Sequence, residues 1–282
     1  MDVMAERRHL VNLAFRMLGT FADAEDVVQE TYARWYRLTD DERAAIDVPA
    51  AWLTRVASRI CLDVLGSARA RREKYVGEWL PEPVPASDDD PLDRVTLDDS
   101  VSTALLVVLE TLTPAERVAF VLHDVFGMPF GEVAEVVGRS AAACRQLATS
   151  ARRRIRERRP EPVARESHDA VVRAFADACR SGDLVRLAAV LDPDVVLRSD
   201  GGGNVSAARN PVTGASNVGR FLLGIVSKNP DMQVVETETA DGASLTFWRD
   251  GSIGGVVTLH VVGETVADVW IMLNPEKLTL WR

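Results

Sequence analysis

Arg145 and Gln146 are the side chains in this sequence best suited to reading another molecule. An arginine can place two donors on a guanine edge, and a glutamine can pair a donor and an acceptor with adenine. Both lie in the stretch from Phe130 to Leu147, which reads as a helix, a tight glycine turn and a second helix. The run Arg152-Arg153-Arg154-Ile155-Arg156-Glu157-Arg158-Arg159 follows at once. Gly138 stands where such a turn needs a positive φ. Ala134 is small where two helices cross, and Val133, Val137, Cys144 and Leu147 are the expected packing positions. Ser140, Ala141, Ala142, Arg145 and Gln146 are then left facing outward, the side that a helix-turn-helix lays in the major groove. Arg152, Arg153 and Arg156 suit phosphates better than bases. The bland alternative is a helical hairpin with a solvated basic tail.

Two further clusters carry charge. Pro49 opens a helix, a favoured first-turn position, with Trp52, Leu53, Val56, Ile60 and Val64 expected inside. Arg55, Arg59 and Arg69 fall outside and could neutralise phosphates. The helix from Ala24 to Leu38 carries Asp23, Glu25, Asp26, Gln29 and Glu30 with Arg34, a face fit for a basic partner or simply for water. Net charge is -9 over 282 residues, which at first sight argues against DNA. Nucleic acid, however, responds to the field within about a Debye length, ~8 Å in physiological salt. The arginines are concentrated in two stripes, and the acids lie elsewhere.

These clusters imply several positioning modules. The length predicts two or three domains. Residues 1–75 read as helical almost throughout, with Gly19-Thr20 as a stop and Thr39 to Val48 as a polar loop. Residues 76–99 are rich in proline and aspartate and read as a linker, although Trp79 and Leu80 suggest that part of it docks. Residues 100–159 form a second helical module opened by the Thr113-Pro114-x-Glu116 start signal. Residues 160–165 are a short linker. Residues 166–282 mix helices with alternating runs such as Val195 to Ser199, Gly255 to Val262 and Thr265 to Met272, the pattern of an α+β domain with a curved antiparallel sheet. Three cysteines without CxxC spacing and four scattered histidines imply reduced thiols, no metal site and no cofactor. No leader and no apolar run of membrane-spanning length is legible, so a cytoplasmic protein that meets no membrane is expected.

The segment Asp23-Ala24-Glu25-Asp26-Val27-Val28-Gln29-Glu30-Thr31-Tyr32-Ala33-Arg34-Trp35 closely resembles region 2 of bacterial extracytoplasmic-function sigma factors. Ala51 to Asp63 continues the match, and Pro114 to Leu122 with the helix-turn-helix resembles region 4. Tyr75-Val76-Gly77-Glu78-Trp79-Leu80-Pro81-Glu82-Pro83 resembles the linker signature of the SigJ-type subgroup, in which a SnoaL-like domain of the nuclear-transport-factor-like, cone-shaped fold is fused to the carboxyl end. Asp200-Gly201-Gly202-Gly203 and Asn274-Pro275-Glu276-Lys277-Leu278 resemble that domain's two signatures, with Asn204 where the subgroup usually has lysine and Glu276 where it often has aspartate.

The resemblance implies a multidomain chain with two all-α sigma modules followed by that α+β domain. It implies core RNA polymerase and promoter DNA as partners. The acidic face of the second helix would meet the clamp helices of the polymerase, and the loop Thr39 to Val48 would capture an unstacked base. It implies cis regulation by the last domain with no separate anti-sigma factor, and leaves room for a small-molecule ligand there. Trp79, Leu80, Asp200, Gly201, Gly202, Gly203, Asn274, Pro275 and Lys277 are the expected interdomain residues. A one-component regulator is the runner-up reading; region 2 discriminates, because such a regulator needs no polymerase-binding helix. An enzyme tethered to DNA is a third, with Asp200 or His260 imaginable as a base, but no tyrosine follows residue 75 to pair with an aspartate at an oxyanion.

Overall fold

The computed structural model describes residues 3–72, 75, 77–86, 102–158, 163–239, 241–249 and 251–281, and the side chains of residues 68–72 and 158 fall outside it. Much of the expected linker, including residues 76 and 87–99, therefore lies outside the described residues. The chain divides into two compact units.

The first unit is all helical. It holds α1 (Arg7–Leu18), α2 (Phe21–Arg37), α3 (Asp40–Ala44), α4 (Pro49–Arg72), most of α5 (Thr103–Leu109), α6 (Pro114–Phe120), α7 (Phe130–Val137) and α8 (Ala141–Arg158). Gly19 ends α1 in the left-handed region, at φ 79°, and returns its N–H to Phe15 O. Thr20 caps α2 by accepting from Asp23 N–H. The stretch expected as a loop after α2 contains α3, because Thr39 and Glu42 form a reciprocal capping box over a short acidic turn. Leu10, Leu13, Ala14, Met17, Val27, Val28, Leu53, Ala57 and Cys61 form a buried seam among α1, α2 and α4. Trp52, expected inside, is half-buried and meets Trp35 edge to face at 5.3 Å.

Thr113 and Glu116 form a second capping box with Pro114 in the first turn of α6. Burial alone would push the Glu116 carboxyl up. Bonds from the Thr113 backbone, Ser150 and the Thr113 hydroxyl, with the nearby Arg154, outweigh it and hold the group below its ordinary range. Glu116 thereby ties the start of α6 to α8, with Ser150 Oγ at 2.7 Å and Arg154 Nη1 at 3.2 Å.

The second unit contains residues 75–86, Ser102–Ala104 and the chain from residue 159 on. Its elements are α9 (Arg165–Ser181), α10 (Leu184–Val190), β1 (Leu191–Asp200), β2 (Val212–Thr213), α11 (Ala215–Lys228), β3 (Gln233–Thr239), β4 (Gly242–Arg249), β5 (Ser252–Val262) and β6 (Thr265–Met272). The strands form one sheet in the order β2-β1-β6-β5-β4-β3. The sheet is mixed rather than antiparallel throughout, because β1 runs parallel to β6. Register shifts between Leu191 and Val196, Phe247 and Trp248, and His260 and Val261 bend it. Val172, Phe175, Leu187, Val218 and Leu222 from the helices share one core with Leu197, Leu245, Leu259, Val269 and Ile271 of the sheet. The alternate residues Arg198, Asp200, Ser244, Thr246, Thr258 and Trp270 belong to the opposite face. This is an α+β domain with helices packed on one face of a curved sheet. Burial pushes all three thiols up, Cys179 to about 12.

Candidate functional site

The helix-turn-helix of the first unit has the expected geometry. Gly138 closes α7 at φ 70° with its N–H on Ala134 O, and Ser140 Oγ accepts from Ala143 N–H at the start of α8. Val133 and Cys144 are fully buried, but the other two core positions are Val136 and Ala148 rather than Val137 and Leu147, which are only half-buried. Each differs by one residue, and on α8 the position turned fully inside carries the smaller side chain, alanine rather than leucine, as a closely packed interior requires. Ala142, Arg145 and Gln146 are exposed, Ala141 is half-buried, and Ser140 stands exposed at the tip. The Arg145 guanidinium lies 5.4 Å from the Phe130 ring centroid. Phe130 is itself stacked on His123 at 3.8 Å, and His123 Nδ1 bonds Met128 O. Arg152 is paired with Asp124 at 2.5 Å. Arg153 and Arg156 are exposed.

The basic helix α4 carries Arg55 and Arg59 half-buried and exposed, respectively. Arg55 Nη1 lies 3.1 Å from Glu135 Oε2, and Arg59 Nη2 donates to Glu135 O at 2.9 Å. The Arg69 side chain lies outside the described residues. On α2, Asp23 accepts from Thr20 Oγ1 at 2.6 Å, Glu25 pairs with Arg7 and Glu30 with Arg34 at 2.9 Å. Asp26 and Gln29 are exposed. Asp23 thus serves the helix cap, and Asp26 and Glu30, with the amide of Gln29, make the outward polar patch.

A third constellation lies inside the second unit and is built on a buried carboxylate. Asp200, at the end of β1, is 0% exposed. Its Oδ1 accepts from Tyr75 Oη at 2.6 Å and Gly202 N–H at 3.0 Å. Its Oδ2 accepts from Leu80 N–H at 2.9 Å and Lys277 Nζ at 2.8 Å. Lys277 also donates to Leu80 O at 2.6 Å and sits 3.9 Å over the Trp79 ring. Asn274 Nδ2 donates to Tyr75 Oη at 3.0 Å while its Oδ1 accepts from Glu276 N–H, and Pro275 opens the short 3-10 helix Pro275–Lys277 that carries the lysine. Burial, then the bond to Asp200, hold the Tyr75 phenol protonated far above its ordinary range.

The glycine turn is required sterically. A Cβ on Gly201 would stand 2.3 Å from Val205 O, and one on Gly202, at φ 64°, 2.5 Å from the Asn274 side chain. Gly203 also has a positive φ, 78°, and is exposed. Asn204, in place of the usual lysine, is exposed too; the cation that meets Asp200 comes from Lys277.

Residues 75–86 therefore form a strap on the second unit. Glu78 lies 3.7 Å from Arg198, Trp281 Nε1 donates to Pro83 O at 2.8 Å, and Pro85 bridges to Thr239. Ala86 N–H then bonds Glu238 O at 2.9 Å. A little further on, Thr103 donates through N–H and Oγ1 to Asp241 at 2.8 and 2.5 Å, on the same β3–β4 hairpin.

Neither group imagined as a base is placed for it. Asp200 is saturated by four donors, and His260 Nδ1 is engaged with Asp268 at 3.0 Å. Among the described residues there is no cluster of His, Cys, Asp and Glu able to hold a metal ion, and no helix is long and apolar enough to cross a membrane. Sequence reasoning did not single out Glu135, Arg117, Tyr75 as a bonding partner, or Trp281. Their importance is tertiary, since each acts on a residue at least about a hundred positions away or on another helical module.

Comparison with known proteins agrees with this architecture. Residues 3–72 match the family Sigma-70 region 2, and residues 102–155 match Sigma-70, region 4. The chain is 40% identical to the ECF RNA polymerase sigma factor SigJ of Mycobacterium tuberculosis, across 98% of this chain and 91% of that protein. It is also 40% identical to the probable ECF RNA polymerase sigma factor SigI of the same organism, across 97% and 92%. The crystal structure of M. tuberculosis SigJ superposes with a TM-score of 0.79 at 38% identity, covering 98% of this chain and 96% of that one. Two regional matches in order, with full-length relatives at this identity, set aside the one-component regulator and the enzyme alike: the chain belongs to the extracytoplasmic-function RNA polymerase sigma factors.

Proposed function

We propose that this sigma factor is regulated in cis through the strap, which its carboxyl-terminal domain grips and thereby withdraws from the tether between regions 2 and 4. The observation that carries the reading is the Asp200 node, where a buried carboxylate and Lys277 hold Tyr75 and Leu80. Buried charge is costly to assemble, and here it is devoted to fastening a linker. In this reading Asp26, Gln29 and Glu30 on α2 meet core polymerase. Arg55, Arg59, Arg152, Arg153 and Arg156 take phosphates, and Ser140, Ala141, Ala142, Arg145 and Gln146 face the -35 element. The protein works where core polymerase does, in the cytoplasm.

Run-off transcription with core polymerase tests the regulation. Full-length protein, Trp79→Ala and a truncation after Arg165 are compared at equal folded concentration. The truncation should change promoter activity several-fold and Trp79→Ala should move it the same way. A contact worth about 1.4 kcal/mol already shifts a two-state ratio tenfold. Equal activity for all three would reduce the last domain to a passenger.

A further inference from the structure

Glu135 occupies a place that the helix-turn-helix itself does not need. It is exposed on α7, away from the seam formed by Val133, Val136, Cys144 and Ala148. Its carboxylate receives Arg55, and its main-chain carbonyl receives Arg59. That carbonyl lies in the last turn of α7: the N–H groups of both Gly138 and Arg139 go back to Ala134 O. It therefore belongs to the set of helix-end acceptors that need an outside donor, at the end of the helix where the dipole favours a cation. One residue thus presents two oxygens to two neighbouring arginines of α4, much as a phosphate group would.

Elsewhere in the first unit, region 4 is fastened to region 2 by contacts that bury aromatic and charged groups. Phe126, which ends the π-helical turn Val121–Val125 that follows α6, lies edge-on to His9 at 5.4 Å and beneath the Arg16 guanidinium at 5.5 Å. Arg117 of α6, 3% exposed, donates to Met17 O at 2.9 Å and to Glu110 at 2.6 Å. These contacts hold region 4 on α1, whereas the Glu135 contacts are half-exposed, with side-chain exposures of 38% for Arg55 and 53% for Glu135. An exposed pair of this kind is weak and screened by salt, so a polyanion can displace it.

We infer that Glu135 is an intramolecular phosphate mimic: in the free protein it engages Arg55 and Arg59 and competes with DNA for the region 2 stripe, a competition that ends when regions 2 and 4 part. This rests on the reading of Arg55 and Arg59 as phosphate contacts. It implies that the free protein binds promoter duplex a few-fold more weakly than it would with the stripe unpaired, and that separation of the two regions exposes both arginines together.

The test uses full-length protein. Affinity for a promoter duplex is measured by fluorescence anisotropy for the free protein and for the holoenzyme. Spin labels at Asp63→Cys and Thr149→Cys report the separation of α4 and α8. Glu135→Gln should raise the free protein's affinity about two- to five-fold at low salt, the size of an exposed ion pair, and broaden the label distance to longer values. Holoenzyme affinity should be unchanged, and adding Arg55→Ala should abolish the gain. Unchanged free affinity in Glu135→Gln, with Arg55→Ala weakening the holoenzyme, would overturn the mimic and leave the phosphate reading standing. If Arg55→Ala and Arg59→Ala both leave holoenzyme affinity untouched, the phosphate reading fails and the mimic falls with it.

Discussion

Asp200→Asn is the most informative single change in the second unit. The carboxylate accepts four hydrogen bonds, two on each oxygen, from Tyr75, Gly202, Leu80 and Lys277. An asparagine has one acceptor oxygen. Whichever way it turns, its NH2 group faces two donors, and Lys277, 6% exposed, loses its countercharge. Removing one member of a buried ion pair costs about 3–5 kcal/mol, or roughly two to three and a half decades in an equilibrium at 1.4 kcal/mol per decade. The strap should feel this first. Amide exchange at Leu80 and Ala86, both held by the second unit, should accelerate by about that factor unless the whole domain unfolds sooner, in which case the thermal midpoint falls. Asp200→Asn combined with Lys277→Met should be milder than the two singles summed, by more than about 1 kcal/mol, because the groups are in contact. An asparagine variant with unchanged exchange and unchanged midpoint would refute the account of the node.

Three further outcomes are expected. Arg145→Ala should lose about 1–3 kcal/mol of discrimination at one or two -35 positions, and Phe130→Ala should blur the same positions, whereas Arg153→Ala should weaken all promoter variants alike; binding to a panel of single-base variants separates these patterns. Burial lowers the His9 pKa from its ordinary 6.5, against a smaller opposing pull from Glu6. The unfolded chain therefore binds the proton more readily, so the associated stability is present above about pH 6.5 and is lost as the pH falls through the folded pKa, and His9→Gln should flatten that part of a urea midpoint-against-pH plot. Burial also lowers the Arg117 pKa to about 9, which still leaves it charged at neutral pH; Arg117→Ala should cost about 2–4 kcal/mol in chemical denaturation through its lost bonds to Met17 O and Glu110, and a loss below about 1 kcal/mol would mean that its burial cancels those bonds.

What was legible in the sequence was mostly local. Gly19, Thr20, Pro49, Thr113 and Gly138 mark helix ends through caps whose geometry depends on two or three neighbouring residues. The same logic at Thr39 and Glu42 would have found α3, but the polar surroundings read as a loop. Packing within the helix-turn-helix was off by one at Val136 and Ala148, because a 3.6-residue period leaves adjacent positions nearly equivalent until the partner helix is known. The parallel pairing of β1 with β6 left no trace, since strand direction is set by partners about seventy residues apart. The Asp200 node stands in the sequence as three separate signatures. Their composition hints at turns and a docking surface, yet nothing in the spacing tells that Lys277 would meet both Asp200 and Leu80.

The strap also bears on how this chain can change in length. Ala86 is fixed to Glu238, and Thr103 to Asp241, so the chain leaves one hairpin and returns to it. Within the strap, Leu80 is pinned to Asp200 and Ala86 to Glu238. The spacing of the strap is therefore fixed by what grips it: the loss of a single residue between Leu80 and Ala86 would draw either Leu80 away from Asp200 or Ala86 away from Glu238.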